Sequence, residues 1–164
     1  MIGPGLDRRH GGIVVAIGKC VSDLEQGDVL GPVEYTISRF VVREYAHAVE
    51  LHQDCFQHPD GEIAPPTMVH LDKLRLYRHA CPGGTGPHAR IHIEYDATIH
   101  HEVPAGERLR VDGIVTECSR RRGRDYMHME IRMRRASDGL LLITYHDTVI
   151  LSYTGAASAT GEAS

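Results

Sequence analysis

The sequence has no CxxC pair, no Cys/His finger spacing, no HExxH helix and no internal repeat. Its four cysteines, Cys20, Cys55, Cys81 and Cys118, stand far apart, so free thiols in a reducing, cytoplasmic setting fit better than a disulfide framework. Long apolar runs are missing as well. The stretch Ile13–Ile17 is too short for a membrane span or for the core of a signal peptide, and no membrane partner is expected. Neither charge is in excess: 18 Lys+Arg against 22 Asp+Glu leave −4 at neutral pH, which argues against a nucleic-acid partner. The residue in unusual supply is histidine, 12 in all, and this raises metal binding. Strict strand alternation sets His92, Glu94 and His100 on one face, with His101 beside His100. Spacing fixes no complete ligand set, so no metal and no cofactor is expected.

At 164 residues one domain is expected, large enough to bury a core without staples. Residues 1–11 and 154–164 are small and without periodicity; 1–19 are expected to form a mobile segment with room for an extra strand, 154–164 a disordered tail, and 20–153 the domain. A turn-rich approach over 23–32 leads to a strand at Val33–Ile37. Ser38 can cap a helix over Arg39–Glu50, with Phe40, Val41, Tyr45, Ala48 and Val49 as its buried side. Residues 51–62 show neither period and read as a loop.

The stretch Ile63–Tyr77 organises the rest. Pro65 and Pro66 hold the residues before them extended, so a helix begins at Pro66 or Thr67 and hardly earlier. Met68, Val69, Leu71, Leu74 and Tyr77 then share one helical face. After a breaker at 81–87, alternation predicts strands over 91–99, 109–116 and 127–134. Reversals fall at 120–124 and 137–139, and a last strand over 140–151 is apolar on both sides at its start and therefore central. The plan is α+β: a first strand, a helix, and a four-strand antiparallel meander forming a curved sheet wrapped around that one central helix, the hot-dog arrangement.

Four segments in this order, Asp23–Asp28, Val42–Ala48, Ile63–Thr67 and Val103–Glu107, resemble the MaoC-like dehydratase and (R)-specific enoyl-CoA hydratase superfamily. Within it the likeness is to the N-terminal halves and non-catalytic subunits of heterodimeric 3-hydroxyacyl-thioester dehydratases, over about residues 20–153. The resemblance implies a hot-dog fold and an acyl-CoA or acyl-carrier-protein thioester as ligand. It also implies a homodimer, or a heterodimer with a catalytic hot-dog subunit. In catalytic members a D-x-N-P-x-H loop supplies a carboxylate and an imidazole for proton transfer. Those positions fall here on Leu51 and Phe56, neither of which can move a proton. The glycine whose N–H binds the thioester oxygen falls on Pro66, which has no N–H.

Asp54 and His58 repeat the carboxylate and imidazole pairing two or three residues late and are the catalytic candidates; Pro59-Asp60-Gly61 also accounts for both as solvated turn formers. Ala64, Pro65, Pro66, Thr67, Met68 and Phe56 are the candidates for shaping the acyl site. Arg122 and Arg124, in a basic run with Arg120 and Arg121, are placed to meet coenzyme A phosphates or an acidic carrier protein; a solvated hairpin tip explains them equally. Three functions stay open: a thioester-binding subunit, a self-sufficient hydratase or thioesterase using Asp54 and His58, and a non-enzymatic binding or scaffold protein.

Overall fold

The computed structural model describes residues 14–15, 18–51, 57–58, 61–83 and 91–151. Its elements run β1 (Val14–Val15), β2 (Asp28–Thr36), α1 (Arg39–Ala48), β3 (Gln57–His58), β4 (Gly61–Glu62), α2 (Asp72–Ala80), β5 (Ile91–Ile99), β6 (Arg108–Arg121), β7 (Arg124–Arg135) and β8 (Leu141–Ile150). One six-stranded sheet has the order β1-β2-β6-β7-β8-β5, antiparallel except where β1 pairs with the start of β2. The α+β plan of a sheet around a helix is therefore present, with one change from the expected meander. β5 does not neighbour β6; it lies at the far edge beside β8, and β2 holds the place next to β6.

The crossing is made by residues 100–107, which are pinned to the chain around the helix entrance. Ala64 N–H donates to Val103 O at 2.8 Å, Ala105 N–H to Glu62 O at 2.7 Å and Gly106 N–H to Ile37 O at 2.6 Å. Alternation along a strand cannot reveal this order, because it states which face a residue occupies and not which strand lies beside it.

The helix after the two prolines starts where the sequence requires, but in two parts. Pro66–Leu71 is a 3-10 turn and Asp72–Ala80 is α-helical. Six residues at about 120° each, in place of about 100°, turn the apolar face by roughly 120°. Tyr77 stays buried, Leu76 and Ala80 join it, and Leu74, expected inside, is 46% exposed. Leu76 is fully buried over the sheet, where a Cβ added at Gly31 or Gly113 would meet its methyl groups. Arg75 lies over the Tyr35 ring at 4.3 Å.

Ser38 caps α1 as expected, its hydroxyl accepting from Val41 N–H at 3.3 Å. The buried side differs: Val42 is the inward residue and Tyr45 is half-buried, while Phe40 is 70% exposed and Val41, Ala48 and Val49 face outward. Part of the expected 51–62 loop is a short hairpin, Gln57 opposite Glu62 and His58 opposite Gly61. β2, β6 and β7 run longer than their alternation, β5 keeps the expected bounds and β8 is one residue shorter at each end, while the expected reversal at 120–124 tightens to Arg122-Gly123. β8 is interior, as its apolar start requires.

At the start of β2 a buried carboxylate organises the turn. Asp28 accepts from Glu25 N–H at 2.8 Å and from Lys19 Nζ at 2.7 Å. The hydrogen bond to Asp28 raises the Lys19 amine above its ordinary value of 10.5. A raised amine stabilises the fold fully below its unfolded value and loses that contribution as pH climbs through the folded one. Lys19→Met is therefore expected to lower the thermal midpoint at neutral pH and to converge on the wild type in strong alkali, read from melting curves across pH.

Candidate functional site

The helix entrance is built from three chain segments. Ile63 bridges to Pro104, and Glu62, next to it, pairs with Arg43 of α1. Ala64, Pro65 and Met68 are buried there, and Pro66 and Thr67 are exposed. Met68 N–H donates to Pro65 O at 2.9 Å, so the first turn closes on itself. Neither proline brings an N–H to this end of the helix. Leu51 is half-buried just after α1, its N–H donating to Ala46 O at 2.8 Å. Asp54 and Phe56 lie outside the described residues; the backbone of His58 is in β3, and its side chain also lies outside them.

Beside the entrance, and sharing Pro104 with it, is an open cleft of about 560 Å³ lined by Ile99, His100, His101, Glu102, Pro104 and Arg135. The backbone N–H groups of both histidines donate to Leu142 O, and His100 Nε2 lies 3.1 Å from Thr144 Oγ1. Arg135 is held by Glu107 at 3.4 Å and Asp138 at 3.0 Å. Two of its polar side chains, His100 and Arg135, thus have partners within the protein.

The structure does not bring the basic hairpin tip to this place. Arg122 sits at the β6–β7 reversal with φ +52°, and it and Arg124 are exposed. The 14 residues of β6, at about 3.3 Å each, set the tip roughly 40 Å along the strand from the end that carries the entrance. Two arginines of the cluster also have carboxylate neighbours, Arg120 with Asp125 at 3.7 Å and Arg121 with Glu117 at 3.6 Å.

One constellation escapes sequence reasoning. On β8 the buried row Ile143, Tyr145, Asp147, Val149 contains a carboxylate that is 1% exposed. Asp147 Oδ1 lies 2.5 Å from His92 Nε2 of the edge strand, and that imidazole is 35% exposed. Tyr95 stands edge-on to the His92 ring at 6.1 Å and stacks on Tyr145 at 5.7 Å. The pairing depends on a bulge: His92 is opposite Val149 but Glu94 is opposite Thr148, so Ile93 is the extra residue. The bulge also separates His92 from Glu94, which therefore do not share a face as strict alternation implies. The break of the apolar row at Asp147 is a signal legible in the sequence. The bulge has no such signal.

No protein-family model matches the sequence, and no curated protein does. Solved structures do match in shape. A 3R-hydroxyacyl-ACP dehydratase complex, HadBC from Mycobacterium tuberculosis, is 18% identical with a TM-score of 0.61, over 74% of this chain and 93% of that one. The (R)-hydratase from A. caviae involved in PHA biosynthesis is 16% identical, TM-score 0.62, over 77% of this chain and 96% of that one. The R-hydratase PhaJ1 from Pseudomonas aeruginosa is 14% identical, TM-score 0.64, over 89% and 96%. The chain thus has the hot-dog fold that these hydratases and dehydratases share.

Proposed function

We propose that the chain is an acyl-thioester-binding hot-dog subunit of a 3-hydroxyacyl-CoA or acyl-carrier-protein dehydratase (enoyl hydratase) system in the cytoplasm. It works as a dimer, with a second copy or with a catalytic hot-dog subunit. The observation that carries this reading is the sheet edge. β5 ends the sheet with Ile91, Ile93 and Ile99 exposed by 39%, 49% and 48%, an edge that natural proteins cover or charge. Pairing β5 with another β5 would cover it and continue the sheet.

In this reading Ala64, Pro65, Pro66, Thr67 and Met68 shape the acyl end of the site together with Phe56. Arg122 and Arg124, too far along β6 to serve their own entrance, are available to the phosphates or acidic surface of a carrier whose acyl group the second subunit holds. The positions of the catalytic pair in the resembling enzymes fall on Leu51 and Phe56, which carry no titratable group, so in this reading the partner supplies that pair; Asp54 and His58 belong to the alternative, a self-sufficient hydratase or thioesterase. A second reading, an enzyme sufficient in itself, is favoured by the buried Asp147 and its imidazole.

The test is titration of the purified protein with butyryl-CoA, together with its mass in solution. Saturable binding that weakens with added salt, in a particle of at least twice the 18.2 kDa chain mass, is the expected result. A monomer that binds no acyl-CoA would sink the proposal. Ile93→Lys should shift the particle towards the single-chain mass while folding stability stays within about 0.5 kcal/mol, since the change is at an exposed position and lysine discourages edge pairing.

A further inference from the structure

We infer that the β5 edge takes an unlike subunit in preference to a second copy of this chain, one whose own edge strand sets lysine or arginine at alternate positions on the solvent face, with apolar residues between them. The inference rests on the dimer proposed above and chooses its partner.

Among the described residues β5 has a strand on one side only, so its other side offers backbone hydrogen-bonding groups to an added strand. Its register with β8 sorts the side chains between the two faces of the sheet. Tyr95, Ala97 and Ile99 stand opposite Asp147, Tyr145 and Ile143, all buried, and so belong to the core side. Ile99 is nevertheless 48% exposed, because nothing described here lies beyond it. Glu94, Asp96 and Thr98 stand opposite Thr148, His146 and Thr144 and belong to the solvent side, where all three are exposed. The edge is thus apolar on one face and acidic on the other.

Neither Glu94 nor Asp96 has a hydrogen-bond or ion-pair partner for its carboxylate among the described residues. Behind them on β8 stand Thr148 and His146, with no lysine or arginine in either place. An added strand would lie about 4.8 Å away with its side chains directly opposite those of β5, so its sequence decides which charge the two carboxylates meet. A second copy satisfies the apolar face and fails on the other. Joined about a two-fold axis at Tyr95, the midpoint of β5, antiparallel copies set Glu94 of each against Asp96 of the other, and like charges directly opposite repel. A strand with lysine or arginine at those places makes both contacts attractive. Repulsion of the wrong partner then contributes to the choice together with attraction of the right one. The sequence after β8, residues 152–164, contains neither lysine nor arginine and does not supply the pattern.

The experiment uses a charge-reversed copy, Glu94→Lys with Asp96→Lys, as the basic partner. Sedimentation of fluorescently labelled wild type measures its association with unlabelled wild type and with the reversed copy, at low and at high salt. The unlike pair is expected to form about tenfold more tightly than the wild-type pair, with the gap closing as salt is added. Glu94→Gln with Asp96→Asn, which removes the repulsion without reversing it, should pair with itself more tightly than the wild type does. Circular dichroism identifies a variant that fails to fold, and the neutral variant keeps the test decisive if the lysine variant does not fold. Wild type that pairs with itself as tightly as with the reversed copy overturns the inference, as does a neutral variant that pairs no more tightly than wild type, or a set of chains that do not associate at all. Titration of the wild type with butyryl-CoA separates the two readings. Saturable binding without a preference removes only the choice of partner; a preference without binding removes the thioester reading and leaves the choice of partner standing.

Discussion

Replacing Leu76 by alanine is expected to remove about 2–5 kcal/mol of folding stability, the usual range for truncating a fully buried leucine. The position is sensitive because of what lies beneath it. Leu76 is completely buried and sits where a Cβ on Gly31 would come within 2.9 Å of its Cδ2 and one on Gly113 within 3.2 Å of its Cδ1. The two glycines let α2 settle close on β2 and β6, so a shortened side chain leaves a void that backbone on both sides resists closing. Urea denaturation read by circular dichroism measures the loss. A midpoint unchanged from wild type would mean that the helix does not bear on the sheet through this residue. Leu74→Ala, one turn face away and 46% exposed, is the control and should stay within about 0.5 kcal/mol.

Gly31→Ala is expected to cost roughly 3 kcal/mol, from two causes that act at the same atom. Gly31 has φ +87°, a conformation in which an L side chain is strained by about 1–3 kcal/mol. Its added Cβ would also meet Val111 O and Leu76 Cδ2, both at 2.9 Å. The carbonyl belongs to the neighbouring strand and cannot turn aside, so relief would require β2 to shift where its register with β6 already breaks, between Leu30 and Val33. Gly113→Ala is the informative comparison. Its neighbours at 3.2 Å are the flexible ends of Leu76 and Met129, which can yield, so a loss nearer 1 kcal/mol is expected. Equal losses at the two glycines would show that backbone strain at Gly31 contributes little.

The helix entrance illustrates how far local chemistry reaches. Pro65 and Pro66 dictate where the helix begins because the restriction acts between adjacent residues, and the turn indeed begins at Pro66. The type of turn that follows is decided by packing. The 3-10 stretch rotates the helix so that Leu76 replaces Leu74 at the sheet, and no spacing rule applied with one period can anticipate a change of period partway along. On α1 the same limit operates differently. Phe40, Val41 and Val49 have the hydrophobicity of core residues but sit on or beside a helix whose buried residue is Val42, so composition alone overstates how much of it is inside.

The candidate site divides along the same line. Asp147 is visible in the sequence as a charge inside an apolar row, because alternation marks that row. His92 is not visible as its partner, because the pairing needs β5 to lie beside β8 and needs Ile93 to be bulged, and both are relations between strands 55 residues apart in sequence number at the His92–Asp147 contact. From the order of residues alone came the α+β class, the first capped helix, the proline-defined helix start and most strand positions, all of which follow from interactions between near neighbours. Tertiary structure alone decided the placing of β5 at the open edge, the rotation of α2 onto Gly31 and Gly113, and the meeting of His92 with Asp147. Those depend on which distant surfaces can be buried together, and the free energy of burial belongs to the assembled pair and to neither segment by itself.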